Sequence, residues 1–142
     1  MGFFNKIFGG RTEFPALDAA NPAARRLDEM REPLESLMKD VDEPLEVVPV
    51  GPRPFVFMGK PPKRFGLAWV EAGQVKNLQT LVDEKGIAPD RMSRLVEQLR
   101  AAYEHSASDP RYQATVAGRQ IVVAPSERLE EEVEEIIHSA EM

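Results

Sequence analysis

The chain has no cysteine. That one absence removes disulfides, thiolate zinc sites, iron–sulfur clusters and cysteine nucleophiles together. Histidine is almost as scarce, with two copies, His105 and His138. His138 follows Glu134 by one helical turn, which offers two metal ligands on one face but no third. No Ser–His–acid order can be assembled from spacing. Glycine-rich phosphate loops are missing too, since Gly9-Gly10-Arg11-Thr12 and Met58-Gly59-Lys60 lack the surrounding spacing. No apolar run approaches the roughly 20 residues of a membrane-spanning helix. The opening MGFFNKIFGG is broken by Asn5 and Lys6 and is too short for a secretory signal. These gaps lead to the expectation of no cofactor, no metal, no catalytic residues and a cytoplasmic location.

What is present is an ordinary globular composition, with 42% hydrophobic and 30% charged residues. A chain of 142 residues fits one domain. We read residues 1–20 as an apolar segment and linker, and residues 21–142 as a single α+β domain. The net charge of −6 is unevenly placed. The last seventeen residues hold seven glutamates against Arg128 alone. Segment 51–73 runs the other way, with Arg53, Lys60, Lys63 and Arg64 against Glu71.

Helices are expected at about 22–41, 75–85, 89–105 and 126–139. Asn21–Pro22 and Ala88–Pro89 place proline at the first helical position, where its missing N–H costs nothing. Pro33 falls inside the first stripe and predicts a kink or restart there. Gly86 closes the second helix, and Ser126 caps the last. Two β-hairpins are expected, at about 53–71 and 111–124, forming a small antiparallel sheet. The second turns tightly at Ala117–Gly118. Leu45 to Val50 reads as an edge strand, because Pro49 cannot donate to a ladder.

The segment 78–99, LQTLVDEKGIAPDRMSRLVEQL, resembles a helix-turn-helix, with Gly86 permitting the turn and flanking apolar residues bracing two helices. With the 112–124 hairpin as a wing, the resemblance implies a winged-helix-like nucleic-acid binder. Arg91, Arg94, Arg100 and Arg119 would then face the phosphates, with Lys60, Lys63 and Arg64 as further phosphate contacts. Against that stand Asp90, Glu97 and Glu104 among the same arginines, and an acidic total.

The first hairpin points elsewhere. Phe55 and Phe57 share one face with Phe65, Leu67 and Trp69, while Val56, Met58, Ala68 and Val70 occupy the other. Two apolar faces mean a sheet covered on both sides, or covered once with a sticky face left over. The covering element is the N-terminal segment, another helix or another subunit. Phe3, Phe4, Ile7 and Phe8 line one face of a short helix, suited to packing on the protein itself, on a partner or on a membrane surface. The expected function is therefore a non-enzymatic protein-interaction, assembly or regulatory module, self-associating as a homodimer or binding a partner. Its expected contacts are Phe3, Phe4, Phe8, Lys60, Lys63, Arg64, Phe65 and Trp69. The basic Lys60–Arg64 turn suits an acidic partner, such as the tail of a neighbouring copy. The nucleic-acid reading is the alternative.

Overall fold

A computed structural model describes residues 14–142. Asn21 caps α1 (Pro22–Glu29) by accepting from the Ala23 N–H. The helix breaks at Met30 and restarts as α2 (Arg31–Asp40). The restart at Arg31 thus falls two residues before Pro33, which sits in the first turn of α2, where no intrahelical partner is lost.

Four strands follow: β1 (Leu45–Val48), β2 (Phe55–Lys60), β3 (Arg64–Glu71) and β4 (Gln74–Asn77). Then come α3 (Leu78–Lys85), α4 (Pro89–His105), β5 (Tyr112–Val116), β6 (Arg119–Val123) and α5 (Glu127–Glu141). The α+β class stands, but the sheet is larger than two hairpins. It has six strands in the order β4-β3-β2-β1-β6-β5 and is mixed.

Two strand expectations are corrected. Leu45–Val48 is central, antiparallel to β2 and parallel to β6 through Glu46↔Val122 and Val47↔Val123. Pro49 lies just past its end, so the ladder never needs the missing N–H. Residues 74–77 are the fourth strand of a meander rather than the start of a helix. Asn77 and Thr80 form a reciprocal capping box that starts α3 at Leu78. The turn into β4 is Ala72–Gly73, with φ of 54° and 76°. Ala117–Gly118 repeats that pattern at 51° and 78°. Positive φ at both central residues is what a type I′ hairpin requires.

Helices cover both sheet faces. Val48, Phe55, Phe57, Leu67 and Trp69 pack against α3, α4 and α5 through Leu81, Leu95, Leu99, Leu129, Val133 and Ile137. Leu45, Val47, Val56, Ile121 and Val123 pack against α1 and α2 through Leu27, Leu34 and Met38. The doubly apolar hairpin is therefore covered on both faces by the chain's own helices, with Met58 and Val70 left half-buried at the margin of the α1–α2 side. Among the described residues, no helix is long and apolar enough to cross a membrane.

Candidate functional site

The β2–β3 hairpin runs through the middle of this sandwich and carries charge at both ends. Its base holds Arg53, which is mostly buried. Arg53 donates to both oxygens of Glu134 at 3.1 and 2.8 Å, to both oxygens of Glu141 at 2.9 and 3.2 Å and to Glu71 at 3.1 Å. Lys76 also pairs with Glu71, at 3.5 Å. The guanidinium lies 5.6 Å from the Trp69 ring centroid and 5.9 Å from that of Phe55. Burial would favour loss of the Arg53 proton, but Glu134 and Glu141 more than offset this and hold it firmly charged. For Glu71, burial pushes upward, and Lys76 and Arg53 together outweigh it to bring its pKa below the ordinary carboxylate range.

A second polar cluster is buried behind β1. Arg111 donates to Glu46 at 2.7 Å, to the Ser106 carbonyl at 2.7 Å and to the Ser106 hydroxyl at 3.0 Å. The Tyr103 hydroxyl donates to the other Glu46 oxygen at 2.7 Å. Burial and the Glu46 carboxylate push the Tyr103 phenol well up, so it stays a donor. Both Glu46 oxygens are engaged, and the cluster joins β1, α4 and the loop before β5. It is a filled structural network with no open position for a reactant.

The hairpin tip differs. The Lys63 N–H donates to the Lys60 carbonyl at 3.0 Å and closes the turn, in which the Pro61–Pro62 peptide bond is cis. Arg100 of α4 donates to the carbonyls of Pro62 and Lys63, the latter at 2.9 Å. Its guanidinium lies 5.7 Å from the Phe65 centroid. Phe65 in turn packs on Phe57 at 5.6 Å, and Phe57 on Tyr103 at 5.2 Å. The tip is thus pinned to the core from below. Above the pin, Lys60, Lys63 and Arg64 are exposed. Lys60 and Arg64 are direct cross-strand partners, and like charges placed opposite one another repel. Among the described residues none of the three forms an ion pair. The Glu43 carboxylate lies beside Gly59, one residue short of the tip.

Of the expected contacts, then, the structure brings Lys60, Lys63, Arg64 and half-buried Phe65 together. It withdraws Trp69, which is 1% exposed and packed in the core. Phe3, Phe4 and Phe8 lie outside the described residues. The four arginines of the nucleic-acid reading do not form one surface. Arg100 holds the tip. Arg119 donates to the carbonyls of Met38, Val41 and Glu43 at 3.2, 2.8 and 2.9 Å, closing the C-terminal end of α2. Arg94 sits 3.8 Å from Asp90, and Arg91 reaches the Ser139 carbonyl at 3.4 Å. The expected wing is β5–β6, and β6 is an interior strand of the sheet. Glu134, half of the helix-face metal pair, is engaged by Arg53. His105 stands 2.8 Å from Glu132. The role of Arg100 went unread in the sequence because its partners lie 37 and 38 residues away and are backbone carbonyls.

The chain matches no family model, no curated protein and no solved structure.

Proposed function

We propose that this protein is a non-enzymatic interaction module that binds an acidic partner protein through Lys60, Lys63 and Arg64. One observation carries the reading: three exposed cations, outside every ion pair among the described residues, are concentrated on a braced turn of a protein with net charge −6. Cations held together against their own repulsion gain most from a ligand that neutralises them. Bracing by Arg100 also lowers the ordering cost of binding. Phe65 at the foot of the turn supplies an apolar contact beside the charges, as interface anchors commonly do. A cytoplasmic location belongs to the same reading. The nucleic-acid alternative shares the tip cations Lys60, Lys63 and Arg64 but has less support, because of its four arginines only Arg91 and Arg94 remain for it, and the acidic total opposes a polyphosphate.

A peptide of about ten glutamates and a random DNA duplex of similar charge, titrated separately into isotopically labelled protein, test the reading. The peptide is expected to shift amides at residues 60–65 and to lose its effect between about 50 and 300 mM salt. Lys60→Glu/Lys63→Glu/Arg64→Glu should abolish the shifts. No shift at the tip at low salt sinks the proposal. Stronger shifts from the duplex, centred on Arg91 and Arg94, replace it with the alternative.

A further inference from the structure

Three hollows among the described residues differ in charge. The hollow of 690 Å³ between α2 and β4 has Glu32 and Asp40 in its lining. Its neighbour of 510 Å³ has Glu29 and Glu32 beside Arg26. A cleft of 230 Å³ between α4 and α5 is lined by Arg91 and Arg94 and by no acid. In a protein of net charge −6, a concave surface whose only charges are positive stands apart.

The sequence explains its shape. α4 and α5 pack together through Leu95, Leu99, Val133 and Ile137. At the last turn of α5 the residues beside Leu95 are Ser139 and Ala140, too small to fill the space. Buried Leu95 and Ala140 form the floor, and half-buried Ile136 forms a wall. Arg91, Arg94 and Gln98, spaced i, i+3 and i+7, put their donors along the α4 rim. Both arginines keep free capacity, since a guanidinium carries five N–H groups. Arg91 uses one on the Ser139 carbonyl, at 3.4 Å. Arg94 lies 3.8 Å from Asp90, in a pair whose side chains are 70% and 80% exposed, and such a pair is weak. A duplex offers a long row of phosphates, but this cleft has room for one small group.

We propose that the cleft between α4 and α5 binds a small organic anion, a single carboxylate on an apolar body. Arg91 and Arg94 hold the carboxylate through charge-assisted hydrogen bonds. The body lies on Leu95, Ile136 and Ala140, as apolar floors with a few polar groups commonly allow. One negative charge suits the cleft better than two. It lies against the last turn of α5, where the helix dipole is negative, and Asp90 and Glu135 adjoin Arg91 and Ile136 in sequence. A carboxylate is therefore favoured over a phosphate dianion. The cleft is separate from the basic tip and does not depend on the tip's function.

Octanoate titrated into isotopically labelled protein tests it. Amides at residues 91–98 and 136–140 should shift saturably, with Kd below about 1 mM. Acetate has the charge without the body, and octanol the body without the charge. Each should bind at least about tenfold more weakly than octanoate, and octyl phosphate should also bind more weakly. Arg91→Ala/Arg94→Ala and Gln98→Glu should each weaken octanoate at least about tenfold, while Gln98→Lys should strengthen it. All three positions are exposed, and unchanged Trp69 fluorescence confirms that each variant folds. No saturable shift by about 10 mM, or equal binding by the double arginine variant, overturns the proposal. So does acetate, octanol or octyl phosphate that binds as tightly as octanoate. Shifts of residues 91–98 by the DNA duplex but not by octanoate give both arginines to the nucleic-acid reading instead. Lys60→Glu/Lys63→Glu/Arg64→Glu should leave octanoate binding unchanged, so failure of the tip and failure of the cleft are read separately.

Discussion

The base and the tip of the β2–β3 hairpin use charge in opposite ways. At the base one mostly buried arginine meets three carboxylates, and Lys76 shares one of them. At the tip three cations meet no carboxylate among the described residues. Both ends are held firmly, yet by different means. The base is held by its ion pairs, so its charge is internal to the fold. The tip is held by Arg100 on carbonyls and by Phe65 on Phe57, which leaves its charged heads uncommitted. Where a fold neutralises its charges, their loss should appear as stability. Where it does not, their loss should appear as binding.

The largest expected effect breaks the base. Arg53→Ala leaves Glu134, Glu141 and Glu71 facing one another and uncovers the Trp69 and Phe55 rings. Removing one partner of a buried pair costs about 3–5 kcal/mol, and of an exposed pair about 0–1 kcal/mol. Arg53 is 11% exposed but its partners are 25–42% exposed, so about 2–3 kcal/mol is expected. That is roughly 6–10 °C in Tm, read from Trp69 fluorescence. Acid should act in the same direction. The lowered pKa of Glu71 means its contribution is present above the unfolded value and is lost as pH falls through the folded one, below the ordinary 4.5. Wild type should lose stability over that window, and Arg53→Ala should lose less.

Next comes the brace that ties tip to core. Arg100→Ala removes two bonds to tip carbonyls and the cover over Phe65. About 1 kcal/mol of stability should go, together with amide protection at residues 60–64. If hydrogen exchange at the tip is unchanged, the turn holds itself and the brace is incidental.

The contrast between the two ends was partly legible in the sequence. The +3 segment, its proline-rich turn and its two apolar strand faces are local patterns, and local patterns survive without coordinates. α4 begins at Pro89 and ends at His105 as read, because proline at the first helical position marks a boundary. The base was not legible. Arg53 reaches Glu134 and Glu141 across 81 and 88 residues, and no periodicity records such a pairing. The central place of β1 rests on its parallel contact with Val122 and Val123, which is equally non-local. β4 could have been found. Ala72–Gly73 is the same dipeptide as Ala117–Gly118, which reads as a hairpin turn. The four residues after it were too few to outweigh the helical stripe behind them.

A smaller effect tests whether the base holds more acid than it needs. Glu130 is 7% exposed, packs over Gly51, and its carboxylate makes no hydrogen bond or ion pair within the described residues. Burial, then Glu134, Glu131 and Glu127, raise its pKa. A raised carboxyl favours the fold below its unfolded pKa and loses that benefit as pH climbs through the folded value. At neutral pH its charge therefore opposes folding. Glu130→Gln relieves a like-charge contact with Glu134, one turn on, so a gain of about 0.5 kcal/mol is expected at pH 7. The gain should vanish near pH 4, where wild-type Glu130 is itself protonated. A loss of stability at pH 7 would mean that Glu130's charge at the start of α5 outweighs its burial.

The smallest effect belongs to the tip and has the opposite sign to the first. Lys60 and Arg64 face each other across the last rung of the hairpin. Lys60→Glu turns that repulsion into an attraction, and cross-strand charge pairs differ by roughly 0.2–1 kcal/mol. The variant should be as stable as wild type or slightly more so, while binding the acidic peptide at least about tenfold more weakly. A group that stabilises the fold by its absence and a ligand by its presence is kept for the ligand. Should Lys60→Glu instead destabilise by as much as Arg53→Ala, the tip's cations are structural after all, and base and tip are one kind of site.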